Sequence, residues 1–195
     1  MRVIGLTGGI GMGKSTAAAV FRRARVPVFD ADATVHRLQA PGGAALKPIA
    51  AAFPGSVTNG VLNRAVLREA VLGQPEALPT LEKIMHPLVR QAEATFLGAA
   101  RRQRARLAVL DIPLLFETGA DARVDKIVVV SAPKSVQMAR LKARKGMTAA
   151  QIGAVLARQW TDAARRRRAD WVVRTGLSRH HALVSLRRLM QALRA

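Results

Sequence analysis

The sequence predicts an α/β domain with a five-stranded parallel sheet flanked by helices, and three observations lead there. Gly8-Gly9-Ile10-Gly11-Met12-Gly13-Lys14-Ser15 satisfies the spacing G-x-x-x-x-G-K-[ST] between an apolar run and a helical pattern. Five short apolar runs have the hydrophobicity of strands buried on both faces. Helical stretches separate them, and that alternation builds a doubly wound parallel sheet through crossover connections.

Val3-Ile4-Gly5-Leu6 is the first strand, and the glycine loop follows it. Glycines there permit positive φ and let N–H groups turn inward onto phosphate oxygens. The next helix, predicted from Ser15 to Arg25 and opening near Lys14, adds unpaired N–H groups and the positive end of its dipole. In such a cradle Gly11, Met12 and Gly13 hold the phosphates of ATP through their backbone. Lys14 reaches the β/γ-phosphates, Ser15 holds Mg²⁺, and Thr16 offers a hydroxyl to the α-phosphate.

The second strand, Val26 to Phe29, leads into Asp30-Ala31-Asp32, and the third, Leu107 to Ile112, contains Asp111. Ile127 to Val130 and Trp171 to Val173 complete the five. Ligands of parallel sheets bind at the carboxyl ends of the strands, so Asp30, Asp32 and Asp111 are expected to converge on the loop. Asp111 ends an apolar run and is expected to act on Mg²⁺ directly or through water. Asp32 is the candidate base for the proton of an attacking hydroxyl.

Roughly 77 residues separate the second strand from the third, far more than the dozen or so that a crossover needs. A helical substrate-binding insertion is predicted over 33–104, with helices at Arg64 to Leu72 and Leu78 to Arg104. Turn signals punctuate it at Pro41-Gly42-Gly43, Pro54-Gly55 and Asn59-Gly60. The nucleotide-binding core is then 1–32, 105–133 and 170–195, and 134–169 forms a helical lid. Helices are predicted there at Lys134 to Lys145 and Thr148 to Gln159, and another at Arg179 to Leu193. Arg140 and Arg144, four apart, share a helix face and suit a phosphate clamp. Arg165-Arg166-Arg167-Arg168 reads as solvated charge, since four consecutive helical residues cannot face one ligand. His86, before Pro87, and Arg64 are candidates for binding an anionic acceptor, whereas His36, His180 and His181 show no partner pattern.

Composition narrows the partners. Half of the 195 residues are apolar, enough for a sizeable core, and the absence of cysteine excludes disulfides, thiolate metal sites and cysteine nucleophiles. No apolar stretch has membrane-spanning length, and the first strand leaves no room for a signal peptide, so a cytoplasmic protein is expected. The net charge of +20 calls for polyanions. Nucleic acid is disfavoured by an aromatic content of 4% and by basic residues spread along the chain. A site that neutralises two polyphosphates accounts for part of the charge, and a monomer or weak oligomer is expected. A kinase of another small alcohol or nucleoside monophosphate, and a nucleic-acid-binding ATPase, remain the alternatives.

Several linked motifs sharpen the reading: Leu6 to Thr16, Val28-Phe29-Asp30-Ala31-Asp32, Leu62-Asn63-Arg64 with Leu67-Arg68, His86-Pro87-Leu88-Val89, Pro113-Leu114-Leu115-Phe116-Glu117, and Ala157-Arg158-Gln159 followed by Arg168-Ala169-Asp170. Together they resemble bacterial dephospho-CoA kinases over essentially the full length. The resemblance implies a P-loop kinase fold and ATP-dependent phosphorylation of the ribose 3′-hydroxyl of dephospho-CoA, the last step of coenzyme A synthesis. It places Asp32 on the proposed base, Arg64, His86 and Leu114 on the acceptor side, and Arg140 on the lid near ATP. Three positions depart from the pattern. Met12 stands where Ser is usual, at a position expected to be free; Phe53-Pro54 replaces Phe-Gly; Arg174 replaces an Asp after the last strand.

Overall fold

Val3 to Leu6 becomes the middle of the sheet in a computed structural model that describes residues 1–143 and 148–194. Strand β1 (Arg2–Thr7) is buried from Val3 onward and pairs in parallel with β5 (Leu107–Asp111) on one side and β6 (Lys126–Ser131) on the other. With β2 (Val28–Asp30) beyond β5 and β7 (Trp171–Arg174) beyond β6, the order is β2-β5-β1-β6-β7. All these pairings are parallel. The chain leaves β1 toward β2 on one side and later returns to β6 on the other. That switch point opens the crevice at the strands' carboxyl ends, where the glycine loop lies.

The crossover helices lie on these strands because their apolar residues repeat at helical spacing. Helix α1 (Lys14–Arg23) buries Ala17, Ala18, Val20 and Phe21, and α9 (Arg179–Arg194) buries Ala182, Leu186, Leu189, Met190 and Leu193. Both contribute to one core with Ile4, Leu6, Val109, Val128, Val130 and Val173. Helix α1 and the long helix α5 (Ala77–Arg102) stop short of the prediction for the same reason. Arg25 and Arg104 have φ of 57° and 55°, and a left-handed arginine cannot continue an α-helix.

Two compact units divide the chain: Met1–Asp30 with Ala100–Ala195, and Ala31–Ala99. In the second, α2 (Ala31–Leu38), α3 (Leu46–Ala52), α4 (Arg64–Gly73) and the first part of α5 (Ala77–Arg102) surround a core of Ala45, Ile49, Phe53, Leu67, Ala77 and Met85. Asn63 caps α4, its side chain accepting from the N–H groups of Ala65 and Val66. Asn59-Gly60 closes a two-stranded ribbon of β3 (Val57–Thr58) and β4 (Val61–Leu62), with φ of 51° and 72° at the turn residues. Positive φ at both positions is what a tight hairpin turn requires. The sequence reading had the turn but not its strands, and it did not anticipate α2 or α3.

In the first unit, α6 (Lys134–Ala143), α7 (Ala149–Ala157) and α8 (Asp162–Arg167) lie between β6 and β7. Thr148 and Gln151 form a reciprocal capping box at the start of α7. Thr161 caps α8 by accepting from Ala164 N. The solvated reading of the arginine run is corrected at Arg165, while Arg168 stays exposed and is paired. Arg165 is 2% exposed and donates to Glu117 Oε1 at 3.1 Å. Arg168 donates to Asp121 at 2.9 Å and lies over the stacked rings of Phe116 and Trp160. A six-residue helix turns successive arginines in different directions, so one faces the interior while Arg166 meets Asp162 on the surface.

Candidate active site

The glycine loop leaves β1 and ends as the first turn of α1. Gly11 and Gly13 have φ of 77° and 93°, a region that side-chain-bearing residues rarely occupy. Every carbonyl from Gly9 to Gly13 is tied to protein. Gly9 O accepts from Met12 N, and Gly13 O accepts from Thr16 N and Ala17 N. Ile10 O accepts from Gln137 Nε2 at 2.7 Å, Gly11 O from Arg140 at 3.3 Å, and Met12 O from the Thr175 hydroxyl at 2.6 Å. Among the described residues the N–H groups of Gly11, Gly13, Lys14 and Ser15 have no protein acceptor. A loop with bound carbonyls and open N–H groups at a helix N-terminus is an anion cradle.

Met12 enters the site differently from the expectation. Its N–H is taken by Gly9 O, so it does not join the open donors. Its side chain is 3% exposed, and its sulfur accepts from Ala132 N at 3.1 Å. The position is therefore a packing anchor on the segment after β6, and not a free one.

Lys14 extends from the first turn of α1 to Asp111 Oδ1 at 2.5 Å. Asp111 is 3% exposed at the end of β5, level with Leu6 on one side and Asp30 on the other. Burial raises its pKa above the ordinary carboxylate value, and the ammonium of Lys14 opposes that rise. Asp30 takes Arg22 at 3.1 Å. Ser15 and Thr16 are both exposed. Ser15 Oγ and Asp111 are hard oxygen donors of the kind Mg²⁺ selects, so the residues present fit that ion.

Arg140 is exposed on α6 and bridges the loop to the turn after β7, donating to Gly11 O, Thr175 Oγ1 and Thr175 O. The sharing of a helix face by Arg140 and Arg144 cannot be followed, because Arg144 lies outside the described residues. Two glutamines hold Ile10 from both sides: Gln137 donates to its carbonyl, and Gln159 Oε1 accepts from its N–H at 3.1 Å. Glu117 Oε1 accepts from both Trp160 N and Arg165. Leu114, 38% exposed, stands three residues beyond Asp111.

In the other unit, Asp32 belongs to the first turn of α2, which begins directly after β2. His36 lies four residues further on the same helix face, and Arg64 meets His36 Nδ1 at 2.8 Å. His86 is exposed on α5, one residue before the proline inside that helix. The sequence reading passed over His36, Gln137, Gln159 and Thr175. Gln159 lay within a quoted motif; the other three had no signal beyond residue type, because their partners are distant in sequence.

The family model of dephospho-CoA kinase matches residues 2–179. The dephospho-CoA kinase of Brucella melitensis is 55% identical over 175 residues, 90% of this chain and 86% of that one. That of Gluconobacter oxydans is 52% identical over 198 residues, covering 100% and 98%. Among solved structures, a Thermus thermophilus protein superposes with a TM-score of 0.86 at 34% identity, covering 98% of this chain and 96% of its own. On the strength of the family model and these relatives, the chain belongs to the dephospho-CoA kinase family.

Proposed function

We propose that the protein transfers the γ-phosphoryl group of ATP to the ribose 3′-hydroxyl of dephospho-CoA, with the loop from Gly11 to Thr16 as the ATP cradle. The observation that supports this most is the arrangement of the loop itself, with its carbonyls tied away and its N–H groups open beside Lys14. Gly11, Gly13, Lys14 and Ser15 donate to phosphate oxygens, and Lys14 turns from Asp111 toward the transferring group. Thr16 adds its hydroxyl at the α-phosphate. Arg140 has donors to spare beyond its three bonds and, with Arg144, closes over the nucleotide as part of the 134–169 lid.

Asp32 accepts the proton as the 3′-oxygen forms its bond to phosphorus and the bond to the β-γ bridging oxygen breaks, releasing ADP. Ser15 and Asp111 would hold Mg²⁺, which would supply neutralising charge for the phosphates. Exclusion of water on lid closure favours the alcohol as acceptor over hydrolysis. Residues 33–104 receive the acceptor through Arg64 and His86, with Leu114 contributing an apolar contact from the core. One chain supplies all these groups, so a monomer suffices.

Arg64→Ala tests the acceptor assignment. Loss of one charge-assisted contact is expected to raise KM for dephospho-CoA about tenfold or more, with KM for ATP unchanged in steady-state assays. A change confined to the ATP KM contradicts the placement of the acceptor.

A further inference from the structure

Thr175 belongs to no motif in the sequence, yet it is the busiest polar residue around the loop. It follows β7, where its N–H donates to Ser131 O at 2.8 Å and continues the pairing of β7 with β6. Its hydroxyl donates to Met12 O at 2.6 Å, with Ser131 O a more distant acceptor at 3.4 Å, and accepts from Arg140 Nη1 at 3.1 Å. Its carbonyl accepts from Arg140 Nη2 at 2.7 Å. The side chain also lies against Gly13, where an added Cβ would stand 3.3 Å from Thr175 Oγ1.

We infer that Thr175 is a positioning residue for phosphoryl transfer, which aims the Gly13 N–H into the nucleotide's phosphate site by holding the other end of the same peptide. The peptide between Met12 and Gly13 is trans, like every other among the described residues, so its C=O and N–H point in opposite directions. A carbonyl drawn toward the β7–α9 turn turns the Gly13 N–H away from that turn, to the side of the open donors. The orientation of this peptide turns on ψ of Met12 and φ of Gly13; the buried Met12 side chain anchors the first residue, and Gly13 has no side chain to hold the second. Thr175 is suited to the task because the sheet fixes its own backbone. The other tethers act on other peptides: Gln137 on Ile10–Gly11 and Arg140 on Gly11–Met12. The inference rests on the ATP cradle proposed above.

The test is nucleotide affinity by calorimetry, together with steady-state kinetics, on Thr175→Val, Thr175→Ser and Lys14→Ala. Valine keeps the β-branched volume and removes the hydroxyl, leaving two of the Arg140 bonds in place. Affinity for ATP is expected to fall about five- to tenfold in Thr175→Val, with KM for dephospho-CoA unchanged and recovery in Thr175→Ser. Thr175→Ala provides the same comparison should the valine variant not fold. ATP affinity as in the parent protein for the hydroxyl-free variant, while Lys14→Ala binds weakly, overturns the tether alone. Parent-like affinity in Lys14→Ala would overturn the cradle on which it rests. Equal losses in Thr175→Val and Thr175→Ser would make the residue a packing element and also overturn the inference.

Discussion

Lys14→Ala is expected to lower kcat/KM for phosphoryl transfer by about 10³-fold or more, the scale on which a preorganised charge at a transition state acts. Two effects combine in that number. The ammonium that would follow charge developing on the transferring group is gone. Asp111 also loses its partner at 2.5 Å in a site that is 3% exposed, and burial already raises its pKa. Without Lys14 only the weaker pull of Arg22 opposes that rise, so protonation reaches to higher pH and the carboxylate becomes a poorer cation ligand. Steady-state assays of ADP release across pH check this, with far-ultraviolet circular dichroism to confirm the fold. Retention of activity within tenfold would remove Lys14 from the chemistry.

Asp32→Asn is expected to reduce kcat by about 10²- to 10⁴-fold, the usual contribution of a general base, while ATP affinity stays within about twofold. Asparagine matches the carboxylate in shape and loses its ability to take a proton. The residue is exposed in the first turn of α2, one turn from His36, which meets Arg64. As a base it acts on the acceptor hydroxyl and not on the nucleotide, so the defect should appear in kcat and spare nucleotide binding. Single-turnover transfer and calorimetric ATP binding on the same preparation separate the two quantities. Normal turnover in Asp32→Asn would take the base assignment away from this residue.

Much of this site was legible before any coordinates, because its signals are local. The glycine spacing required positive φ at Gly11 and Gly13, and both have it. The five apolar runs became the five strands, since burial on both faces imposes continuous hydrophobicity. What escaped the sequence was non-local or short. Helix α2 begins directly after β2 with no linker to announce it, and α3 holds Pro48 in its first turn, where proline is tolerated but reads as a breaker. The loop's tethers come from positions 137, 140, 159 and 175, and only folding brings them to residues 10–12. Arg165 looked like its three neighbours, and the carboxylate that explains its burial is 48 residues away. Met12 shows the same limit, since the chain alone does not reveal that its sulfur meets Ala132.

The most direct test of the whole account is product analysis by mass spectrometry. The protein is incubated with Mg²⁺, ATP and a panel of dephospho-CoA, AMP, CMP, shikimate and a 5′-hydroxyl oligonucleotide. Phosphate gained by dephospho-CoA alone, and located on its ribose 3′-oxygen by fragmentation, is the predicted result. Transfer to another member of the panel with none to dephospho-CoA would contradict the acceptor assigned to this site.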